Sequence, residues 1–192
     1  MKVIKIIIPC LLLSGCLLGT SQQAKFYTQD TISAEAISTD YNTFVGVNRV
    51  QLPKYVDRPQ IVTQLKDSVQ INISEYNRWV EAPSVLATRV MTEDLSTFLP
   101  AAKVKINQSK GEGFNYTISV EIVKMNAVLD NEAELIAWFT VKDQKGKTII
   151  NQKFVNTVQI GNTYDDVALG YSQLLADLSR EIANVLIKAQ SK

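Results

Sequence analysis

The sequence contains no histidine among its 192 residues. Histidine is the commonest general base in enzymes and the commonest metal ligand in proteins. Its absence excludes a Ser-His-Asp or Cys-His catalytic site, and also a zinc site of ordinary composition. The sequence also lacks a GxSxG segment and a Walker A phosphate-binding loop. We therefore expect a protein that is not an enzyme and that uses no metal or dissociable cofactor.

Cysteine is also scarce, since only Cys10 and Cys16 are present and both lie near the amino terminus. The stretch from Val3 to Leu13 is mostly apolar, which fits a signal-peptide hydrophobic region and is too short to span a membrane. Leu13-Ser14-Gly15-Cys16 follows at once and resembles a lipobox. Residues 1–15 are therefore predicted to be a signal peptide. The alternative is an ordinary secretory signal followed by a chance cysteine.

In this interpretation Cys16 becomes the first residue of the mature chain and carries a covalent N-acyl diacylglycerol, including a palmitate-type acyl chain. One acyl chain holds a protein to a bilayer only marginally, whereas several acyl chains anchor it stably. Leu17, rather than Asp, follows the cysteine. By the sorting rule for enterobacterial lipoproteins, Leu17 predicts an outer-membrane location, facing the periplasm. Residues 16–24 would form the stem between the lipid and the fold.

Charge of one sign is not in excess either. Cleavage before Cys16 removes Lys2 and Lys5, so that 18 basic and 19 acidic residues remain. Without a basic surplus, nucleic acid is not an expected partner. The pairs Glu93-Asp94 and Asp165-Asp166 are predicted to be solvated or helix-capping groups rather than a catalytic pair.

Strict alternation of apolar and polar residues between Phe114 and Ile122 predicts a strand that is buried on one face. Asp143-Gln144-Lys145-Gly146 predicts a hairpin turn between two further long strands. Pro53 is expected to end an earlier strand because proline cannot donate to a β-ladder. The predicted strands are Lys25–Thr28, Phe44–Leu52, Gln60–Thr63, Ser68–Ile73, Ala102–Ile106, Phe114–Ile122, Glu134–Lys142 and Thr148–Ile160.

Two helices are predicted. The first runs from a Ser84 cap to about Leu99, before Pro100, and the segment Tyr76–Pro83 precedes it as a boundary. The second runs from about Tyr164 to Ala189 with an apolar stripe at helical spacing. No repeat or linker divides the chain. We expect one α+β domain over residues 25–192, a mostly antiparallel sheet with two helices packed on it.

The segment Val50–Gln64 reads VQLPKYVDRPQIVTQ, and Tyr76–Pro83 with the following helix VLATRVMTEDLSTFLP comes soon after. This order resembles the ABC-type transport auxiliary lipoprotein family, in particular its paraquat-inducible protein C group. The resemblance is most specific at Leu52-Pro53, Tyr55 and Asp57–Val62. The tryptophan segment, Arg78-Trp79-Val80-Glu81-Ala82-Pro83, departs from the family's usual Arg-Trp-Ala-Glu-Pro-Leu.

The resemblance implies a non-enzymatic component of an intermembrane lipid transport system. It implies an MCE-domain membrane protein of the same system as the partner, and a homo-oligomer as the assembly. The loop Pro53–Pro59 and the segment Tyr76–Pro83 are rich in residue types that dominate interfaces, and the prolines stiffen the loop. The candidate contacts with a partner or between subunits are Tyr55, Asp57, Arg58, Tyr76, Arg78 and Trp79.

Three functional interpretations remain open on the sequence alone. In the first, the protein docks a transport tunnel at the outer membrane. In the second, it is a lipid- or lipopolysaccharide-handling lipoprotein that binds an acyl chain itself. In the third, it is an envelope enzyme that uses carboxylates alone. Trp79 also has a structural alternative, in which its side chain fills the end of the core.

The anchor prediction is tested by Cys16→Ser. Without the thiol, no diacylglycerol can be attached, so we expect an uncleaved precursor that is held by its signal peptide. Intact-mass spectrometry of the membrane fraction measures both the acyl mass and the cleavage. Processing and membrane attachment like those of the wild type would rule out Cys16 as the anchor.

Overall fold

The computed structural model describes residues 22–32, 34–108 and 112–190. The predicted signal peptide, Cys16 and Leu17 lie outside these residues. Within them, neither helix combines the length and the hydropathy needed to cross a membrane. The elements in chain order are β1 (Lys25–Tyr27), β2 (Phe44–Val47), β3 (Gln60–Gln64), β4 (Ile71–Trp79), α1 (Pro83–Phe98), β5 (Lys103–Ile106), β6 (Tyr116–Ala127), β7 (Glu132–Asp143), β8 (Thr148–Gln159) and α2 (Tyr164–Gln190).

The strands form two sheets. A five-stranded sheet has the order β5-β2-β6-β7-β8, and a three-stranded sheet has the order β1-β4-β3. The long strands β6, β7 and β8 pair antiparallel, as do β3 and β4. The short strands pair parallel, β1 with β4 and β2 with both β5 and β6. The predicted single α+β domain with two packed helices is confirmed, and the structure adds the division into two mixed sheets.

The core lies between the two helices and the inner face of the five-stranded sheet. On β7 every second side chain from Ala133 to Val141 is buried, and on β6 the same alternation runs from Ile118 to Ile122, as predicted, and shifts by one residue before Met125. The stripe of α2 packs on this face, and Leu174, Leu178 and Ile182 are fully buried. Burial of one such side chain stabilises a fold by roughly 1.5–3 kcal/mol. Apolar packing on this face therefore positions every other element.

Helix α1 begins differently from the prediction. Ala82 occupies the cap position and Pro83 the first turn, where a missing N–H is tolerated. Ser84 is not the cap. Its backbone N–H donates to Oδ1 of Asp57 at 3.0 Å, and its hydroxyl accepts from Arg49. A carboxylate that is distant in sequence thus satisfies the helix end, which a local pattern cannot reveal.

Several strand boundaries also differ from the prediction. β2 ends at Val47 rather than Leu52, and Gln51 then forms an isolated parallel bridge to Glu121. β6 continues to Ala127 rather than Ile122. β4 continues through the first half of the predicted boundary segment and ends at Trp79. An irregularity in its pairing with β3 breaks the alternation that would have identified this strand.

The start of α2 is capped by reciprocal hydrogen bonds. Oδ2 of Asp166 accepts from the backbone N–H and the hydroxyl of Thr163, and the Asp166 N–H donates back to the Thr163 hydroxyl. These bonds hold the pKa of Asp166 below its usual value. The capping role predicted for the Asp165-Asp166 pair is therefore seen at its second residue.

Gly46 lets β2 pass under an aromatic ring. A Cβ at this position would lie 2.6 Å from Cδ2 of Phe114, whose ring packs on Phe44. Gly46→Ala should lower the free energy of unfolding by about 1–3 kcal/mol, because the ring must move. Chemical denaturation of Gly46→Ala, Phe114→Leu and the double variant measures the coupling. Strictly additive effects in the double variant would contradict the contact.

Candidate functional site

The loop Pro53–Pro59 is a folded turn packed against the start of α1. The backbone N–H groups of Val56 and Asp57 both donate to the Pro53 carbonyl, at 3.0 and 3.1 Å. The Asp57 carboxylate is engaged by the N–H of Ser84. Asp57 therefore fixes the loop to the helix. Val56 is buried in the core, whereas Tyr55 is 40% exposed.

Two of the candidate contact residues meet on the outer side of the three-stranded sheet. Arg78 on β4 is paired with Phe26 on β1 and with Gln60 on β3. The Gln60 side chain accepts a hydrogen bond from Nε of Arg58 at 3.2 Å. Phe26, Arg58, Gln60 and Arg78 thus form one line across the sheet, which we call the arginine row. The spacing of 20 residues between the two arginines gives no sign of this proximity.

Phe26 and Gln60 are the members of the arginine row that were not among the candidate contacts. Phe26 is 64% exposed, whereas its neighbour Tyr27 faces the interior and packs near Tyr164. The β1 pattern has only three residues, too few to show which side faces solvent. Tyr76 lies two residues before Arg78 and is 38% exposed. The row therefore combines two guanidinium groups with exposed aromatic surface.

Trp79 is placed differently from the other candidates. Its side chain is buried, and its ring lies 6.2 Å from that of Tyr171 on α2. Burial raises the pKa of the Tyr171 hydroxyl above its usual range. This position matches the structural alternative for Trp79, in which the indole fills the end of the core between the two sheets.

Beneath the loop lies a small internal cavity of about 10 Å³, lined by Gln29, Val56, Trp79, Met125 and Tyr171 among others. The amide of Gln29 and the hydroxyl of Tyr171 are buried without a hydrogen-bond partner in the described part of the chain. A volume of this size fits at most about one water molecule. It does not accommodate an acyl chain.

Two larger depressions lie elsewhere on the surface, and each measures about 450 Å³. One lies beside Asn115 and Asp143, and the other lies over Glu121 and Trp138 on the outer face of the five-stranded sheet. Both are lined mainly by polar side chains. A lipid tail requires a mainly apolar lining, which neither of these two depressions has.

Asp94 is a buried carboxyl group on α1, although the sequence placed it on a helix surface or cap. Only 2% of the residue is exposed, and its Oδ2 has no hydrogen-bond partner in the described part of the chain. The pKa of Asp94 is raised to about 7, mainly because the carboxyl group is buried. The negative charges of Glu93 and Asp30 raise this pKa further, whereas the Ser179 hydroxyl on α2 lowers it. The group lies between packed elements, so that a substrate cannot reach it.

Among the described residues, no three acidic, cysteine or histidine side chains converge in a way that could hold a metal ion. The carboxylates of Glu93 and Asp30 raise the pKa of Asp94 further, and Asp94 itself is buried.

Comparison with known families identifies the chain. Residues 27–183 match the model of the ABC-type transport auxiliary lipoprotein component. The chain belongs to this family. The match begins at the last residue of β1 and covers every later element except the last turns of α2, so that nearly the whole described fold is that of an auxiliary transport lipoprotein. No curated protein sequence matches the chain.

Solved structures share the fold of this auxiliary lipoprotein. A crystal structure of an uncharacterized protein is 21% identical, with a TM-score of 0.72, and the match covers 85% of this chain and 98% of that one. Protein XCC0632 from Xanthomonas campestris is 11% identical, with a TM-score of 0.68, over 87% and 98% of the two chains. The PelC dodecamer from Paraburkholderia phytofirmans reaches a TM-score of 0.49 at 13% identity, over 81% and 95%. The first two of these structures establish similarity of fold alone.

The buried carboxyl group predicts a pH dependence of stability. Because the folded-state pKa of Asp94 is about 7 and the unfolded-state value is near 4, the unfolded state loses its proton first. The free energy of unfolding should therefore fall as the pH rises from about 4 to about 7 and then level off. Asp94→Asn should flatten this profile and stabilise the protein at pH 8 by roughly 2–4 kcal/mol.

Denaturant titrations across this pH range measure the effect, with Glu35→Gln as the control. Glu35 is exposed, so its replacement should leave the profile unchanged. A profile of Asp94→Asn that parallels the wild type would show that Asp94 is ionised in the folded protein at pH 5.

Proposed function

We propose that the protein is an outer-membrane lipoprotein that docks an MCE-type intermembrane lipid transport system without catalysing a reaction. The supporting observation is the family match over residues 27–183, which gives the chain an auxiliary role in ABC-type transport. The MCE partner is inferred from the resemblance of Val50–Gln64 and Tyr76–Pro83 to the paraquat-inducible protein C group. The outer-membrane location is inferred from Leu17.

The arginine row, with the exposed rings of Tyr55 and Tyr76 nearby, is the surface that best suits the docking role. Arginine and tyrosine are the residue types most often found among interface hot spots. Arg58 and Arg78 each donate through Nε to an oxygen of this chain. Among the described residues, these contacts use one of the five N–H donors in each guanidinium group, and the other donors could bind a partner. An acidic or carbonyl-rich partner surface would complement the row.

A homo-oligomer remains part of this proposal, because a tunnel that crosses the periplasm presents a closed rim to its docking protein. Closed rims are matched by closed, symmetric assemblies. The same residues, Tyr55 and Tyr76 in particular, could contact a neighbouring subunit. Oligomer size is therefore measured together with partner binding below.

The second candidate function, in which the domain itself binds an acyl chain, needs a continuous apolar cavity of roughly 300 Å³ or more. The cavity under the loop is far smaller, and the two depressions of sufficient volume are lined mainly by polar groups. Docking is therefore the better supported function for the described part of the chain.

The docking proposal is tested by Arg58→Glu combined with Arg78→Glu in the lipidated protein. Reversal of both charges should weaken capture of the MCE-domain protein of the same system by at least about tenfold. The melting temperature should change little, because both side chains lie on the sheet surface. Capture is measured by surface-immobilised binding, and assembly size by light scattering.

The matched control is Lys142→Glu combined with Lys153→Glu, which reverses two charges on exposed positions of β7 and β8. This variant should bind the partner like the wild type. Equal binding by the arginine variant and the wild type would reject the arginine row as the docking surface. Loss of capture by both variants would point to overall charge instead.

A further inference from the structure

The hairpin between β3 and β4 ends in a group of exposed aliphatic side chains. Val69 is 99% exposed, and Leu65, Ile71 and Ile73 are 45%, 42% and 39% exposed. We call residues 65–73 the hairpin tip. Monomeric soluble proteins rarely expose contiguous apolar groups, and such a group usually marks an interaction site. The tip lies about 20 Å along β4 from the arginine row, and the proposed docking function does not use it.

Part of the backbone of the tip is hydrogen-bonded internally. The Leu65 N–H donates to the Gln70 carbonyl, the Gln70 N–H donates to the Ser68 hydroxyl, and the Gln64 side chain binds the Ser68 carbonyl. A loop with internal partners loses less when it leaves water, because fewer polar groups are stripped of hydrogen bonds. Lys66 and Asp67 carry opposite charges, so that the tip has no net charge.

The direction of β1 points the preceding chain toward the tip, although β1 itself pairs with the far end of β4, beside the arginine row. β1 runs parallel to β4, and Lys25 is paired with Asn77. The chain before Lys25 therefore arrives from the side on which β4 begins, which is the side of the tip. Six residues of strand separate Asn77 from Ile71, or about 20 Å. Nine residues separate Cys16 from Lys25, enough for a reach of at most about 30 Å.

We propose that the hairpin tip inserts its aliphatic side chains into the interfacial region of the lipid bilayer to which the protein is anchored. The inference rests on the acyl anchor in the proposed function. The tether is long enough to let the tip reach the bilayer, and short enough to keep it within about one domain length of the lipid. A lipid surface is the one occupant that the anchor holds permanently next to these side chains, which makes their contact effectively intramolecular.

The arrangement also sets the type of lipid contact. Because the tip is neutral, its attraction to the bilayer comes from apolar burial rather than from anionic headgroups. Contact should therefore persist at high salt and with zwitterionic lipid. An electrostatically adsorbed surface would instead be released as salt screens its charges.

The test uses Val69→Cys, whose thiol would be the only free one in the lipidated protein. An environment-sensitive fluorophore on this thiol is followed in the full lipidated chain reconstituted into phosphatidylethanolamine vesicles, with spin-labelled lipid as the quencher. We expect about twofold quenching of the label at position 69, unchanged by high salt. The control is Val155→Cys on the outer face of the five-stranded sheet, which is 55% exposed and should not be quenched.

Flotation of the same vesicles separates the outcomes. Labelled protein that floats but is not quenched at position 69 retains its anchor and overturns the insertion. Shielding of the label that grows with protein concentration at constant lipid shows that a second copy covers the tip, and this also overturns it. Protein that does not float overturns the anchor and the insertion together. Partner capture by the arginine row is measured independently of all three results.

Discussion

The rest of the structure depends on the apolar layer between the two helices and the inner face of the five-stranded sheet. The described residues pack one continuous cluster of buried apolar side chains in this layer, and the predicted mature chain has no cysteine available for a disulfide. Leu135 and Phe139 on β7 meet the buried stripe of α2 across this layer. Asp94 intrudes into it with a carboxyl group that burial keeps partly protonated. Each buried aliphatic side chain contributes roughly 1.5–3 kcal/mol, so that the many apolar contacts outweigh this one destabilising group.

A fold held by that layer leaves the outer face of the three-stranded sheet free for contacts with other molecules, while Ile61 and Val62 on its inner face join the core. Trp79 joins the small sheet to α2 through Tyr171, and Asp57 joins the adjoining loop to α1. Trp79 and Asp57, which make these inward contacts, were both predicted from the sequence as candidate contacts with a partner. The outward residues Phe26, Arg58 and Arg78 are held in place by the same attachments without taking part in the core. Buried neighbours thus give the surface row its rigidity, which lowers the entropy lost when a partner binds.

Sequence patterns predicted the elements that obey a simple period. The alternation in Phe114–Ile122 and the stripe of α2 identified a strand and a helix that the structure confirms, because each buries one face on the same core. The cap of α1 was wrong, because the group that satisfies Ser84 comes from Asp57, 27 residues away. Asp94 was predicted to be solvated or capping, because the sequence around an acidic residue in a helix does not show which other elements will cover it. The parallel partners of β1 and β2 were not foreseen, because strands of three and four residues hold no information about direction.

The two outward features of the three-stranded sheet differ in chemistry, and this difference decides which of them suits the membrane. The arginine row presents two guanidinium groups with free donors, and a protein partner can satisfy these directionally. The hairpin tip presents aliphatic side chains on a loop whose charges cancel, and only an apolar environment stabilises these side chains. With the opposite orientation, Val69 would stay in water while the arginines faced the headgroups. That orientation would forgo the apolar burial and would gain only a salt-screened attraction in return. The tether connects to β1 beside the arginine row. Because β1 runs parallel to β4, the chain that precedes β1 approaches from the side of the tip. Only the orientation with the tip at the lipid places the aliphatic side chains in an apolar environment and leaves the arginine row facing a protein partner.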